Sequence, residues 1–94
     1  MSLKWLETWY KNHCDGSWEH LYGIKIDTLD NPGWRIHINL FDTEVENKDF
    51  KPVKIERTES DWVHCTVKNY IFQGAGGPEN LEEILEVFKI WVTH

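Results

Sequence analysis

Between Tyr22 and Leu40 the chain alternates in two runs. Tyr22, Ile24, Ile26 and Thr28 interleave with Gly23, Lys25 and Asp27, and Trp34, Ile36, Ile38 and Leu40 interleave with Arg35, His37 and Asn39. Successive Cβ atoms of a strand point to opposite faces, so a period of two gives each run one apolar and one polar side. Two such runs on either side of "DNPG" predict a β-hairpin with one face buried and one face wet. Asn31-Pro32-Gly33-Trp34 matches a type II turn, with Pro fixing φ at the second position and Gly supplying positive φ at the third.

The same period recurs further along. Val53 and Ile55 begin a third strand in "VKIERT", and Val63, Cys65 and Val67 alternate with Trp62, His64, Thr66 and Lys68 in a fourth. Asn69 can turn the chain into a short fifth, "YIFQG". The ends have a helical period instead. In residues 3–13, Leu3, Leu6 and Tyr10 form a stripe with Trp5 and Trp9 beside it, and "CDGS" ends the helix. From Pro78 to Val92, Leu81, Ile84, Leu85, Phe88, Trp91 and Val92 form a second stripe, with Pro suited to the first helical position. The expected fold is α+β: an antiparallel four- to five-stranded meander sheet with N- and C-terminal helices packed on one face. At 94 residues the chain is one domain, residues 1–94.

A core this small gains from large rings, and the sequence has six tryptophans. The net charge of −6 argues against nucleic acid, whose binding rests on cations neutralising phosphates, and against anionic membrane surfaces. It fits a basic partner. No apolar run approaches the ~20 residues of a membrane span. "MSLKWLETWY" lacks the basic and apolar regions of a signal peptide, so two reduced cysteines in a cytoplasm are expected.

The densest stretch for chemistry is "CDGSWEHLYGIKIDTLDNPGW", residues 14–34. His13-Cys14 and His64-Cys65 supply the count of ligands for tetrahedral zinc, but adjacent strand residues face apart, and the tight spacings of real sites are missing. No metal or other cofactor is expected. Cys14 has His13 and His20 nearby, as a thiolate–imidazole pair would need, yet the partial negative charge of a helix C-terminus disfavours the thiolate. Asp15, Glu19, His20 and Asp30 are of the types used in acid–base catalysis, without a second constellation to cradle a substrate. "GAGGPENL" lies between strand and helix as a dinucleotide loop would, but Glu79 takes the third glycine position and further glutamates crowd the helix start. A small enzyme or metal-binding protein using Cys14, His20 and neighbouring carboxylates is the alternative to a binding module.

The surface speaks for the binding module. Trp18 falls in a polar loop, and Trp62 is in phase with His64 and Lys68, away from the expected core. Asp42, Glu44, Glu46 and Asp49 make the 42–49 loop acidic. Exposed aromatics ringed by charge are typical of binding hot spots. The expected partner-binding surface comprises Asp15, Trp18, Glu19, His20, Asp42, Glu44, Glu46 and Trp62.

In "WLETWY", "CDGSWEHLYGIKIDTLDNPGW", "ESDWVHC" and "FQGAGGPENLEEILEVF", in this order over nearly the whole chain, the sequence resembles the immunity protein 53 family. Ser17 departs from that pattern, where an acidic residue is expected. The resemblance implies a cytoplasmic bacterial antidote, found beside polymorphic toxins, that binds and neutralises a cognate protein toxin. It carries over no catalytic residue.

Overall fold

A computed structural model describes residues 1–94. The elements run α1 (Ser2–His13), α2 (Trp18–Leu21), β1 (Ile24–Leu29), β2 (Gly33–Asn39), β3 (Val53–Glu56), β4 (Trp62–Lys68), β5 (Ile71–Gly76) and α3 (Leu81–Thr93). The five strands form one sheet, ordered β1-β2-β5-β4-β3, with every neighbouring pair antiparallel. This is the expected α+β architecture. Its strand order is not a simple meander, however. Residues 40–52 carry the chain from β2 across the ends of β5 and β4 to the far edge, about 14 Å at the usual strand spacing. The chain then returns inward, and β5 closes against β2. The crossing is stable because it is apolar inside: Leu40 and Val45 are buried, and the Phe50 ring lies 5.6 Å from Phe72 and 5.2 Å from Trp91.

The hairpin corners follow backbone chemistry. Leu29 pairs directly with Gly33, so Asp30, Asn31 and Pro32 make the β1–β2 connection and the type II turn over Asn31–Trp34 does not form. Gly33 is instead a strand residue lying against Gly76, where a Cβ would collide with the Gly76 carbonyl. Close approach, not positive φ, requires that glycine. The β4–β5 turn is different: Lys68 pairs with Ile71, and both central residues, Asn69 (φ 54°) and Tyr70 (φ 64°), are left-handed. Two positive φ values match the right-handed twist of a hairpin. Asn tolerates this conformation, but for a tyrosine it costs roughly 1–2 kcal/mol.

One sheet face is covered. Ile36, Ile38, Val63, Cys65 and Phe72 are buried together with Leu6 and Trp9 of α1 and Ile84, Leu85 and Phe88 of α3. Full burial stabilises each large side chain by about 1.5–3 kcal/mol. Both helices therefore pack on the same face. They start side by side, the Ser2 backbone N–H donating to Glu82 at 2.9 Å and its hydroxyl donating to Glu86. The α1 stripe is turned from expectation. Leu6 and Trp9 are buried whereas Leu3 and Tyr10 remain exposed, because Trp9 meets Phe88 edge-on at 5.2 Å. In α3, Pro78 precedes the first turn: Asn80 occupies the cap position and its carbonyl accepts from Ile84 N–H at 3.0 Å. No helix is long and apolar enough to cross a membrane.

The other sheet face is open and carries Lys25, Asp27, Arg35, His37, Lys54, Glu56, His64 and Lys68, in register across the strands. Four of the chain's ten Lys and Arg residues lie here, against two of its sixteen acids. The net negative charge is therefore concentrated elsewhere.

Helix α3 reaches the sheet through Gly74. A Cβ there would sit 2.9 Å from Ile36 Cγ2 and 3.2 Å from Phe72 Cε2, and would clash with Ile84. Gly74→Ala is expected to destabilise the fold by about 1–3 kcal/mol through overpacking. Urea denaturation of the two proteins measures this directly, and an unchanged midpoint would show that α3 can shift without loss.

Candidate partner-binding surface

The polar loop after α1 is built by its own carboxylates. Asp15 accepts hydrogen bonds from the Ser17 and Trp18 backbone N–H groups, both at 2.9 Å. Glu19 reaches back to the Asp15 and Gly16 N–H groups at 2.9 and 2.8 Å. This reciprocal arrangement resembles a capping box and starts the single turn of α2. Trp18 and Ser17 N–H groups hold the Asp15 carboxyl below its usual pKa. Glu19 is also lowered, chiefly by its own backbone N–H, with Asp15 and Gly16 N–H groups adding to it against a desolvation cost.

That turn directs Trp18 inward. Its residue is 3% exposed, its indole N–H donates to the Phe41 carbonyl at 3.0 Å, and its ring stands edge-on to Trp9 at 5.9 Å. The expectation of an exposed Trp18 is corrected: it is part of the core. Polar neighbours misled because their polarity is spent on backbone N–H groups, while the phase of the turn decides where the tryptophan points. His20, on the outer side of α2, is exposed.

Two acids of the 42–49 loop, Glu44 and Glu46, are also engaged. Glu44 accepts from the Trp9 indole at 3.0 Å and meets His13 Nε2 at 2.7 Å. Desolvation opposes its ionisation, but its own N–H, Trp9 and His13 outweigh this and lower its pKa. Glu46 accepts from the Asp42 N–H at 2.7 Å, and Asp42 is exposed with φ 64°. The Trp18–Phe41 and Trp9–Glu44 bonds bring Asp15, Glu19, Asp42, Glu44 and Glu46 to one end of the molecule, where β2 finishes.

Trp62 does not join them. It pairs with Glu56 and opens β4 at the end where β2 begins. A seven-residue strand, roughly 20 Å, separates it from the acidic end. There it is half-buried, its ring 4.9 Å from His64, beside Arg57, which bonds Asp61 at 3.0 Å and Glu83 at 2.5 Å.

Of the residues considered for catalysis, Asp15 and Glu19 are taken up in capping α2. The Cys14 thiol donates to the Tyr10 carbonyl at 3.2 Å. Burial, with Glu83 adding to it, pushes the Cys65 thiol up to about 12, so it remains a protonated core side chain. His64 and Cys65 lie on opposite sheet faces, and no three His, Cys, Asp or Glu side chains are disposed to hold a metal ion. On the open face, Asp27 engages Arg35 at 3.0 and 2.5 Å, and Glu56 engages His64 at 3.1 Å. "GAGGPENL" forms the β5–α3 corner, with Gly77 N–H bonded to the Trp62 carbonyl at 3.1 Å.

An aromatic patch, not anticipated from the sequence, lies at the acidic end. The Phe41 ring lies tilted at 5.0 Å from Tyr22 and edge-on at 6.2 Å from Tyr70. Tyr22, Phe41 and Tyr70 are 37%, 43% and 50% exposed, and neighbouring Leu21 is 66% exposed. The rings come from three separate connections, each unremarkable alone. The available signal was Asn69-Tyr70 between two alternating runs, a two-residue turn with tyrosine where glycine is favoured.

The family model for immunity protein 53 matches residues 3–93, and the chain belongs to that family. No curated protein and no solved structure matches the chain.

Two stability measurements check the local architecture. Trp18→Ala should cost about 3–5 kcal/mol, as for other buried aromatics, and a loss below ~1 kcal/mol in urea denaturation would contradict its core role. The depressed pKa values of Asp15 and Glu19 also have a sign. Their contribution is complete above the ordinary carboxyl pKa of about 4 and is lost as pH falls through the folded values. Thermal melts from neutral pH down to about pH 3 should therefore show an acid-side decline that is shallower in Asp15→Asn. Parallel curves would remove this loop as a source of acid sensitivity.

Proposed function

We propose that this member of the immunity protein 53 family acts in the cytoplasm of a bacterium as the antidote to a cognate polymorphic toxin, binding and neutralising it without catalysing a reaction. The family match over residues 3–93 carries this reading. The net charge of −6 and the gathering of Asp15, Glu19, Asp42, Glu44 and Glu46 at one end support a basic partner that meets that end. The carboxylates of Asp15, Glu19, Glu44 and Glu46 accept from neighbouring N–H groups, and the lowered pKa values of Asp15, Glu19 and Glu44 keep those three ionised at neutral pH. A fixed anionic surface of this kind steers encounter and sets partner choice more than it holds the complex. Nothing in the placement of Cys14 and His20 favours a catalytic or metal-dependent alternative.

Co-expression with the toxin encoded beside its gene should restore growth, and the purified pair should bind. The association rate should fall by about tenfold or more between roughly 0.05 and 0.5 M salt. Asp42→Asn with Glu46→Gln should slow association at low salt with little change in dissociation. Absence of both rescue and binding overturns the antidote reading. Salt-independent association retains the antidote and removes the acidic end from the encounter.

A further inference from the structure

We propose that the patch formed by Leu21, Tyr22, Phe41 and Tyr70 is the docking site for a basic element of the cognate toxin, with an arginine side chain seated against its aromatic faces. This rests on the antidote reading and adds where the complex is held. Four of the nine large apolar side chains that remain exposed lie here, and three of them are aromatic rings, with Phe41 between Tyr22 and Tyr70 and in contact with each. A contiguous apolar patch rimmed by polar residues marks an interaction site more often than scattered exposure does.

The rim supplies the chemistry of the occupant. Asp42 follows Phe41, and Glu46 accepts from the Asp42 N–H at 2.7 Å, while Asp15 and Glu19 cap the start of the α2 turn that ends in Leu21. On the open-sheet side, Leu21 and Tyr22 share a cleft with Lys25 and His37, so the anionic part of the rim is the side that carries Phe41 and Asp42. Electron-rich ring faces beside carboxylates suit a guanidinium, which stacks on aromatics and is weakly hydrated.

A second, independent feature is the backbone of Tyr70. It holds a bulky side chain at φ 64° in a turn position where glycine would be relaxed. The Leu40 N–H bonds the Tyr70 carbonyl at 2.7 Å, fixing the turn against the segment that carries Phe41. The strained residue is thus kept where its ring extends the patch, and a folding requirement alone would not select it. Trp18 has a positioning role, since its indole holds the Phe41 carbonyl from beneath.

Tyr70→Gly separates the two roles. Its melting temperature should equal or exceed that of the wild type, because the strain is relieved, while affinity for the toxin encoded beside the gene should fall about tenfold or more. Tyr70→Phe, which keeps the ring face, should bind within about threefold of wild type. Ile90→Ser, on an exposed part of α3, should bind unchanged. Paired with alanine substitutions of the toxin's surface arginines, Tyr70→Gly should be non-additive with at least one of them. Wild-type binding undiminished in Tyr70→Gly and in folded Phe41→Ala overturns the patch and leaves the antidote reading standing. Coupling confined to apolar toxin residues overturns the arginine. Failure of the wild type to bind or rescue removes both.

Discussion

The hydrogen bond from the Trp18 indole to the Phe41 carbonyl ties α2, packed against α1, to the segment that leaves β2. On one side lie α1 and α2, whose aromatic side chains Trp9, Tyr10 and His13 surround the Trp18 ring. On the other lies the segment leaving β2 toward the far edge of the sheet. That segment must cross two strand ends, and long crossings are costly in chain entropy unless they bury side chains of their own. Leu40 and Val45 supply burial, and Trp18 fixes where the crossing begins. With Phe41 held, Thr43 can bond the Leu40 carbonyl at 2.7 Å, and Glu44 reaches Trp9 and His13.

The carboxylates at this end serve two ends at once. A turn as short as α2 leaves most of its backbone groups without internal partners. Asp15 and Glu19 satisfy four N–H groups between them. Negative charge at a helix start is also electrostatically favourable. Because those hydrogen bonds lower the carboxyl pKa values, the chemistry that folds the loop also keeps its charge present. The open sheet face has the opposite balance, with more Lys and Arg than acids. Separation of charge between the sheet face and the acidic end gives an approaching cationic surface a preferred orientation.

The layer arrangement was legible in the sequence because it depends on periodicity. Period-two alternation in residues 24–28, 34–40 and 62–68 put Ile36, Ile38, Val63 and Cys65 on one face, and the stripe of α3 matched it. Strand order was less legible. Whether residues 40–52 return beside β2 or cross to the edge depends on which of Leu40, Val45 and Phe50 find apolar cover, a tertiary question that a polar-looking loop hides. Trp18 was misplaced for a related reason: nearby polar residues suggested solvent, yet Asp15 and Glu19 are bonded to local backbone N–H groups. Gly33 was assigned a turn role on composition, whereas the space beside Gly76 decided it. The aromatic patch was least legible, because Tyr22, Phe41 and Tyr70 have no sequence periodicity in common and meet only at the sheet end.

The turn between β4 and β5 shows why such a patch is not simply incomplete burial. Core packing would be served by turning these rings inward, and hairpin formation would be served by glycine after Asn69. Neither was selected in this chain. Tyr22, Phe41 and Tyr70 instead form an exposed row, one member of which carries backbone strain. Strain at a position that the rest of the fold over-determines is characteristic of sites that engage another molecule. The surrounding fold can sustain it because Lys68 pairs with Ile71 across the turn and Phe72 is fully buried two residues later. Stability drawn from the covered face thus permits a surface arrangement that folding by itself would not favour.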